Sequence, residues 1–312
     1  MKRFLRTVGF MFGFLLIALV ILAVIFHHPD LDLESLKSKY TTPQSQFVEV
    51  EGMQMHYSIR GSGPNLLLLH GTGGSLHDWN PWVAELENDF RIITPDLPAF
   101  GLTGPNPEDD YSLEMYLRTM ETFLDKIGID SCYLAGNSFG GFIAWNYALE
   151  HPETVKKLIL LDASGYPRKL SDMPLAFRLA GNPKLSRFVE KLTPRALIRR
   201  TALEVFEDDS QVSKERVDRY FDLLRRPGNR RGVIGRMQQI QYDGYGRIPE
   251  ISQPTLILWG DKDKLVAVEN ARRFDADIPV SELIMYENVG HVPMEEIPER
   301  SAKDAKRFLL GE

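Results

Sequence analysis

A chain of 312 residues with a single cysteine, Cys132, forms no internal disulfide and no multi-cysteine metal site. Cys132 falls within an apolar stretch, the usual setting of a buried structural thiol. Internal repeats and low-complexity segments are also missing, so the chain is neither a stacked-repeat array nor a compositionally biased one. Positive charge is in short supply. The formal net charge is −6 and no nucleic-acid-binding motif occurs, which argues against a nucleic-acid partner. The glycine-rich stretch His70-Gly71-Thr72-Gly73-Gly74 has no lysine following at phosphate-loop spacing, so nucleotide binding has little support. What remains, at 43% hydrophobic residues, is enough for one sizeable core plus an insertion and too little for several large domains.

One long apolar run is present. Val8 to Phe26 are nineteen uncharged positions, which as a helix reach about 28 Å against a hydrocarbon core of roughly 30 Å. Lys2, Arg3 and Arg6 precede the run, and the next basic residues are Lys37 and Lys39, so the positive-inside bias puts the amino terminus in the cytoplasm. A cleaved signal peptide is the competing reading; the absence of a clean small-x-small site before His27-His28-Pro29 weighs against it. Residues 1–26 are therefore expected as a cytoplasmic tip and single-pass membrane anchor. Residues 27–45 are expected as a polar tether with an average span of about 25 Å. The rest would lie outside the cytoplasm, in the periplasm or beyond, close to the bilayer.

From residue 46 onward, short apolar runs alternate with amphipathic stretches, the pattern of helices packed on a mostly parallel sheet. Eight strands are expected, at 47–50, 53–59, 65–69, 91–94, 131–135, 158–161, 255–259 and 282–286, the first two joined as a hairpin at Glu51-Gly52. Helices are expected at 79–86, 113–127, from Ser138 to His151-Pro152, at 268–274 and at 298–310. Residues 166–249 show no convincing strand and several helical stretches broken at Pro174, Pro183, Pro194, Pro227 and Gly228. They read as a helical cap inserted after the sixth strand, between core segments 46–165 and 250–312. The cap holds 18 Lys+Arg against 10 Asp+Glu. It is expected either to face anionic lipid or guide an acidic substrate, or simply to present solvated helix faces. Its apolar residues Met173, Leu175, Phe177, Leu179, Phe188, Val189, Phe206 and Phe221 are candidates for an acyl pocket or for core.

The chemistry gathers at the ends of those strands. Gly136-Asn137-Ser138-Phe139-Gly140 joins a strand to a helix, and its small flanking residues permit a strained serine on a sharp turn. A serine hydroxyl is a poor nucleophile until a base takes its proton, and that base must be held by an acid. His291, in the loop Gly290-His291-Val292-Pro293 after the last strand, is the candidate base. Asp263 is the candidate acid, with Asp261 beside it as the alternative and Asp162 as a weaker one. The order Ser138, Asp263, His291 puts each group at the carboxyl end of a strand, where the loops of an open parallel sheet build a site. Backbone N–H groups of Phe139 and Thr72 are the candidate oxyanion donors. His70, Gly71, Gly73 and Asn137 are expected to support them, His70 by ordering the loop rather than as a base. His27, His28, His56, His77 and His151 read as structural or solvated.

His70-Gly71-Thr72-Gly73, Asp96-Leu97-Pro98-Ala99-Phe100-Gly101, Gly136-Asn137-Ser138-Phe139-Gly140-Gly141, Gly260-Asp261-Lys262-Asp263 and Gly290-His291-Val292-Pro293 together resemble the lidded α/β-hydrolase family, over about residues 46–312. The resemblance implies that family's α/β fold, a mostly parallel eight-stranded sheet with helices on both faces. It also favours Asp263 as the acid and Thr72 as an oxyanion donor. Ala99 stands where the family often has glycine, which affects loop geometry more than chemistry. A serine nucleophile separates the chain from lidded epoxide hydrolases and haloalkane dehalogenases. It points to hydrolysis of a small-molecule or lipid-like carboxylic ester through an acyl-enzyme, with no cofactor or metal. Asn137 resembles the branch that cleaves carbon–carbon bonds of dienoate ring-fission products, although that branch usually has tryptophan where Val292 stands. A non-catalytic, membrane-tethered binding protein is the remote alternative.

Overall fold

The structure, a computed structural model, describes residues 26–167, 173–240, 242 and 244–312, together with residues 4, 7, 10–14 and 17. Ser45–Val50 (β1), Met53–Arg60 (β2), Asn65–Leu69 (β3), Arg91–Pro95 (β4), Cys132–Asn137 (β5), Val155–Leu161 (β6), Thr255–Gly260 (β7) and Ser281–Tyr286 (β8) form one sheet in the order β1-β2-β4-β3-β5-β6-β7-β8. β1 pairs with β2, and β2 with β4, antiparallel; every later pair is parallel. β7 is buried at every position and β6 at its last four, because parallel strands covered on both faces must be apolar throughout. In β3, Leu66 and Leu68 enter one core while Leu67 and Leu69 enter the other, as the two-residue period of a strand requires.

Leu33–Tyr40 (α1) precedes the sheet; Asn80–Leu86 (α2), Leu113–Lys126 (α3) and Phe139–Glu150 (α4) lie between its strands. α4 is buried from Phe139 to Ala148, on all sides rather than on one stripe, which marks it as the central helix of the core. The chain leaves β3 toward β4 on one side and later returns to β5 on the other. That reversal makes the carboxyl ends of β3 and β5 a topological switch point, where loops diverge and leave a crevice.

Between β6 and β7 the cap comprises Leu175–Ala180 (α5), Ser186–Lys191 (α6), Arg195–Val205 (α7), Lys214–Leu224 (α8) and Asn229–Gln239 (α9). The expected breakers set its boundaries: Pro174 and Pro194 are the N-caps of α5 and α7, and Gly228, at φ 87°, is that of α9. Glu269–Asp277 (α10), Pro293–Glu296 (α11) and Pro298–Leu310 (α12) complete the chain. Trp82 of α2 is fully buried and donates from Nε1 to Ser301 Oγ of α12 at 2.9 Å, tying two helices far apart in sequence beneath one face of the sheet.

The segment 27–45 is not the free tether its polarity suggested. His27 forms an isolated bridge with Leu192, and the Leu31 N–H donates to the Arg225 carbonyl at 2.8 Å. Arg230 reaches the His28 carbonyl and Asp30, each at 2.7 Å. α1 then buries Leu36 and Tyr40 against Leu102 and Leu223. The apolar spacing Leu33, Leu36, Tyr40 makes one face of a helix, so the segment packs on the cap. The expected anchor, Val8–Phe26, lies largely outside the described residues. Among those described, no helix is long and apolar enough to cross a membrane.

Replacing Trp82 by alanine removes a fully buried indole and leaves the Ser301 hydroxyl without that donor. The unfolding free energy in urea is expected to fall by about 3–5 kcal/mol; a loss below about 1 kcal/mol is incompatible with this packing.

Candidate active site

β5 delivers Ser138 to the switch point. Its backbone takes φ 55°, ψ −114°, a conformation that costs a residue with a side chain about 1–3 kcal/mol and needs support from its surroundings. The Ser138 N–H donates to the Leu161 carbonyl at 3.0 Å, and its own carbonyl accepts from Phe142 and Ser164 at 3.1 and 3.0 Å. Close backbone approach completes the support. A Cβ on Gly136 would lie 2.3 Å from the Gly140 carbonyl oxygen, and one on Gly140 would lie 2.1 Å from that of Leu69. Asn137 donates to the Leu161 and His291 carbonyls at 3.2 and 2.9 Å, so the residue before the serine fixes the loop that carries the histidine.

His291 and Ser138 line the same cavity. His291 Nδ1 donates to Asp263 Oδ2 at 2.8 Å. Nδ1 therefore carries the proton, and Nε2, buried and without a hydrogen-bond partner, keeps its lone pair free to accept one. Asp263 is itself held, because Oδ1 accepts the Leu265 and Val266 N–H groups at 2.7 and 3.0 Å. Asp261, the alternative acid, is brought elsewhere. It faces solvent, pairs with Lys262 at 2.9 Å and accepts from Asn288 N–H, and the Lys262 contact holds its carboxyl below the ordinary range. Asp162 lies behind Asp263, fully buried, at the end of β6.

The loop after β3 lies against the serine: a Cβ on Gly71 would be 3.1 Å from Ser138 Cβ. Thr72, Gly73 and Gly74 line the cavity with it. His70 ties this loop to the one after β4: its Nε2 accepts the Leu97 N–H at 3.0 Å and its Nδ1 donates to the Gly71 carbonyl at 2.8 Å. Phe139 opens α4, whose first-turn N–H groups have no carbonyl within the helix. Its ring is fully buried beneath the Arg236 guanidinium, 3.9 Å from the ring centroid. Asp96 anchors the region, accepting from Leu76 N–H, Leu102 N–H and His56 Nδ1 at 2.7–2.8 Å. Burial alone would raise its pKa; His56 and these donors hold it below the ordinary carboxylate range.

The opposite wall comes from the cap and is apolar, with Ala176, Phe177, Leu197, Ile198, Val233 and Ile234 among its residues. Of the eight cap residues singled out from sequence, Phe177 lines the cavity. Phe206 is buried instead beneath the Arg216 guanidinium, and Phe221 packs edge-on against the His28 ring. The side chains of Phe188 and Val189 lie outside the described residues. Three charged side chains reach the wall, and each is paired. Asp78 binds Arg219 at 2.8 Å, Glu295 binds Arg216, and Arg230 binds Asp30 at 2.7 Å. No single stretch of sequence announces these pairs, because the cap must dock before they form.

A family model described as the alpha/beta hydrolase fold matches residues 64–298. Lipase 1 of Psychrobacter immobilis is 30% identical, covering 82% of this chain and 81% of its own. The 2-hydroxy-6-oxo-6-phenylhexa-2,4-dienoate hydrolase of Burkholderia cepacia is 28% identical, covering 83% and 91%. The solved structure of a membrane phospholipase A, described as a bacterial virulence factor, is 27% identical and superposes with a TM-score of 0.69 over 100% of this chain and 99% of that one.

The glycine contacts predict that Gly140→Ala lowers reactivity of Ser138 toward a fluorophosphonate by at least about fivefold, through strain of about 1–3 kcal/mol. Gly246→Ala, where a Cβ meets nothing within 4 Å, is the control and is expected to react at the wild-type rate.

Proposed function

The chain belongs to the α/β-hydrolase fold family, and from that premise we propose that it is a serine hydrolase of carboxylic esters, with Ser138 as nucleophile, His291 as base and Asp263 as acid. His291 Nε2 takes the Ser138 proton as Oγ attacks the ester carbonyl. The negative charge that develops on the carbonyl oxygen is received by the N–H groups of Phe139 and Thr72. Collapse expels the alcohol, which leaves with the proton from His291. Water then repeats the sequence on the acyl-enzyme, with His291 as its base, and releases the acid. These steps use only groups of the chain, substrate and water.

The observation that carries the ester reading is the cavity wall: it is apolar, and its charged side chains are already paired. An acyl chain fits such a wall, whereas a dienoate brings a carboxylate that would need a cation released from its partner. Val292 also stands where the carbon–carbon branch usually has tryptophan. Carbon–carbon hydrolysis is nevertheless the second reading, favoured by the Burkholderia relative and by Asn137 before the serine.

The same proposal places the chain at a membrane, anchored by Val8–Phe26 with the amino terminus in the cytoplasm and the catalytic part outside. The apolar run supports it, as does the full-length likeness to a membrane phospholipase A. In this arrangement the anchor leads directly into the cap, because His27, His28 and Asp30 contact cap residues. A lipid-like ester is the substrate class that follows.

Steady-state hydrolysis of p-nitrophenyl esters from acetyl to palmitoyl, by the full-length protein in detergent, tests the reading. Turnover with a chain-length optimum is expected, and Ser138→Ala should lower it by at least about 10³ without unfolding the protein. Failure on every ester by a protein that still reacts with a fluorophosphonate at Ser138 moves the assignment to carbon–carbon cleavage. Near-normal turnover by Ser138→Ala overturns both.

A further inference from the structure

Behind the proposed acid lies a second carboxyl group that the mechanism does not use. Asp162 directly follows β6, is 0% exposed, and takes a left-handed backbone at φ 44°. Its Oδ1 accepts the Gly260 N–H at 3.0 Å, while its Oδ2 receives no donor. Asp162, Asp263 and His291 each bring an oxygen or nitrogen within 4.8 Å of the other two. Two buried carboxylates this close repel and can only accept, so a proton on one of them is what lets the pair form a hydrogen bond.

The inventory of donors says which group holds that proton. Asp263 receives three: two backbone N–H groups on Oδ1 and the imidazole N–H on Oδ2, all of which stabilise the charged form. Asp162 receives one. We propose that Asp162 is a positioning residue, resting on the assignment of Ser138, His291 and Asp263 as the reacting set: it keeps its proton at neutral pH and donates it in a hydrogen bond to the Asp263 carboxylate, fixing the plane of that carboxylate against His291 Nδ1.

The surroundings agree. Burial, and after it the Asp263 charge, raise the Asp162 pKa well above the usual carboxylate range. The other titratable groups facing it are Glu296, itself raised by burial, the Tyr286 hydroxyl, which donates to Asp304 at 2.9 Å, and His291. Of these groups only His291 can turn cationic, and its Nδ1–H is committed to Asp263. An ionised Asp162 would therefore stand beside Asp263 and Glu296 without a counter-charge of its own, an arrangement that neutralisation relieves.

Two substitutions separate proton from position. Asp162→Asn retains an N–H donor for Asp263 and an oxygen for Gly260. Asp162→Gly removes the donor while accepting the left-handed backbone without strain. The readout is the pH dependence of fluorophosphonate labelling of Ser138 in the full-length protein, whose acid limb reports the imidazole. The asparagine variant is expected to label within about threefold of wild type, with its midpoint unmoved. The glycine variant is expected to label at least about tenfold more slowly, because Asp263 loses a buried donor. A midpoint lowered by about one unit in Asp162→Asn means that a negative charge was removed, and overturns the proposal; labelling of Asp162→Gly at the wild-type rate overturns it as well. If the glycine variant does not fold, infrared difference spectra decide. A carboxylic-acid carbonyl band present in wild type and absent in Asp162→Asn is expected, and the lack of such a difference refutes the proton. Should wild type not label at all, the serine-hydrolase reading falls, while the infrared test of Asp162 still stands.

Discussion

The backbone of Ser138, held at φ 55°, is the constraint on which the rest of this molecule depends. A free chain would relax such a residue. Here it cannot relax: β6 takes its N–H, Phe142 and Ser164 claim its carbonyl, and the β3 loop closes against its Cβ. Each support demands a close approach that a side chain would block, which is why glycine occupies 136, 140 and 71. The sheet order matters for the same reason. Only at the reversal between β3 and β5 do two loops diverge enough to admit a substrate beside a serine gripped this tightly.

Around the serine, hydrogen bonds fix tautomers as well as positions. His70 and His291 are both buried imidazoles near the switch point, but their partners differ in kind. His70 accepts a backbone N–H on Nε2 and so has no lone pair to offer. His291 spends its N–H on Asp263 and keeps Nε2 free. The same residue type is thus a structural clip in one place and a candidate base in the other, and the difference lies in whether a backbone donor or an open cavity meets Nε2. Asp96 and Asp263 are likewise both multiply hydrogen-bonded carboxyls, one spent on tying loops together and the other on orienting an imidazole.

Most of the fold was legible because period and punctuation agree. Strand alternation, the buried runs of β6 and β7, and the prolines before α5 and α7 carry their information within a few residues. The Gly136–Gly140 turn, Asp263 and His291 were legible for a similar reason, since each follows an apolar strand and has turn residues beside it. The pairs that shape the cavity were not. Arg216 meets Glu295 and Arg219 meets Asp78 across 79 and 141 residues of chain, and nothing local distinguishes those arginines from the solvated ones nearby. For Phe206 and Phe221 the sequence left acyl pocket and core both open, and both are buried away from the cavity, because apolar character says that a residue is buried and not against what. The strap at 27–45 escaped because its cap partners, Arg225 and Arg230, lie about 200 residues away.

The way the cap is attached explains how its inner face can remain apolar. A helical insertion usually holds to its core by burying an apolar stripe, which would consume the surface a greasy ligand needs. Here Val217 and Leu223 of α8 do pack into apolar clusters, but α8 and α9 are also fastened by directional polar contacts: Arg219 to Asp78, Arg216 to Glu295, Arg230 to Asp30 and Lys39 to Asp222. Ion pairs of this kind contribute little net stability when buried, but they tolerate few alternative geometries. They fix where the cap sits without covering Leu197, Ile198, Val233 and Ile234, which are left to line the cavity. The basic surplus of the cap then has a structural use inside the molecule, since these arginines meet acids supplied by the core and by the amino-terminal strap. A cap located by such pairs and lined by aliphatic side chains offers a neutral, apolar surface above the strained serine, which is the feature on which the proposed ester specificity rests.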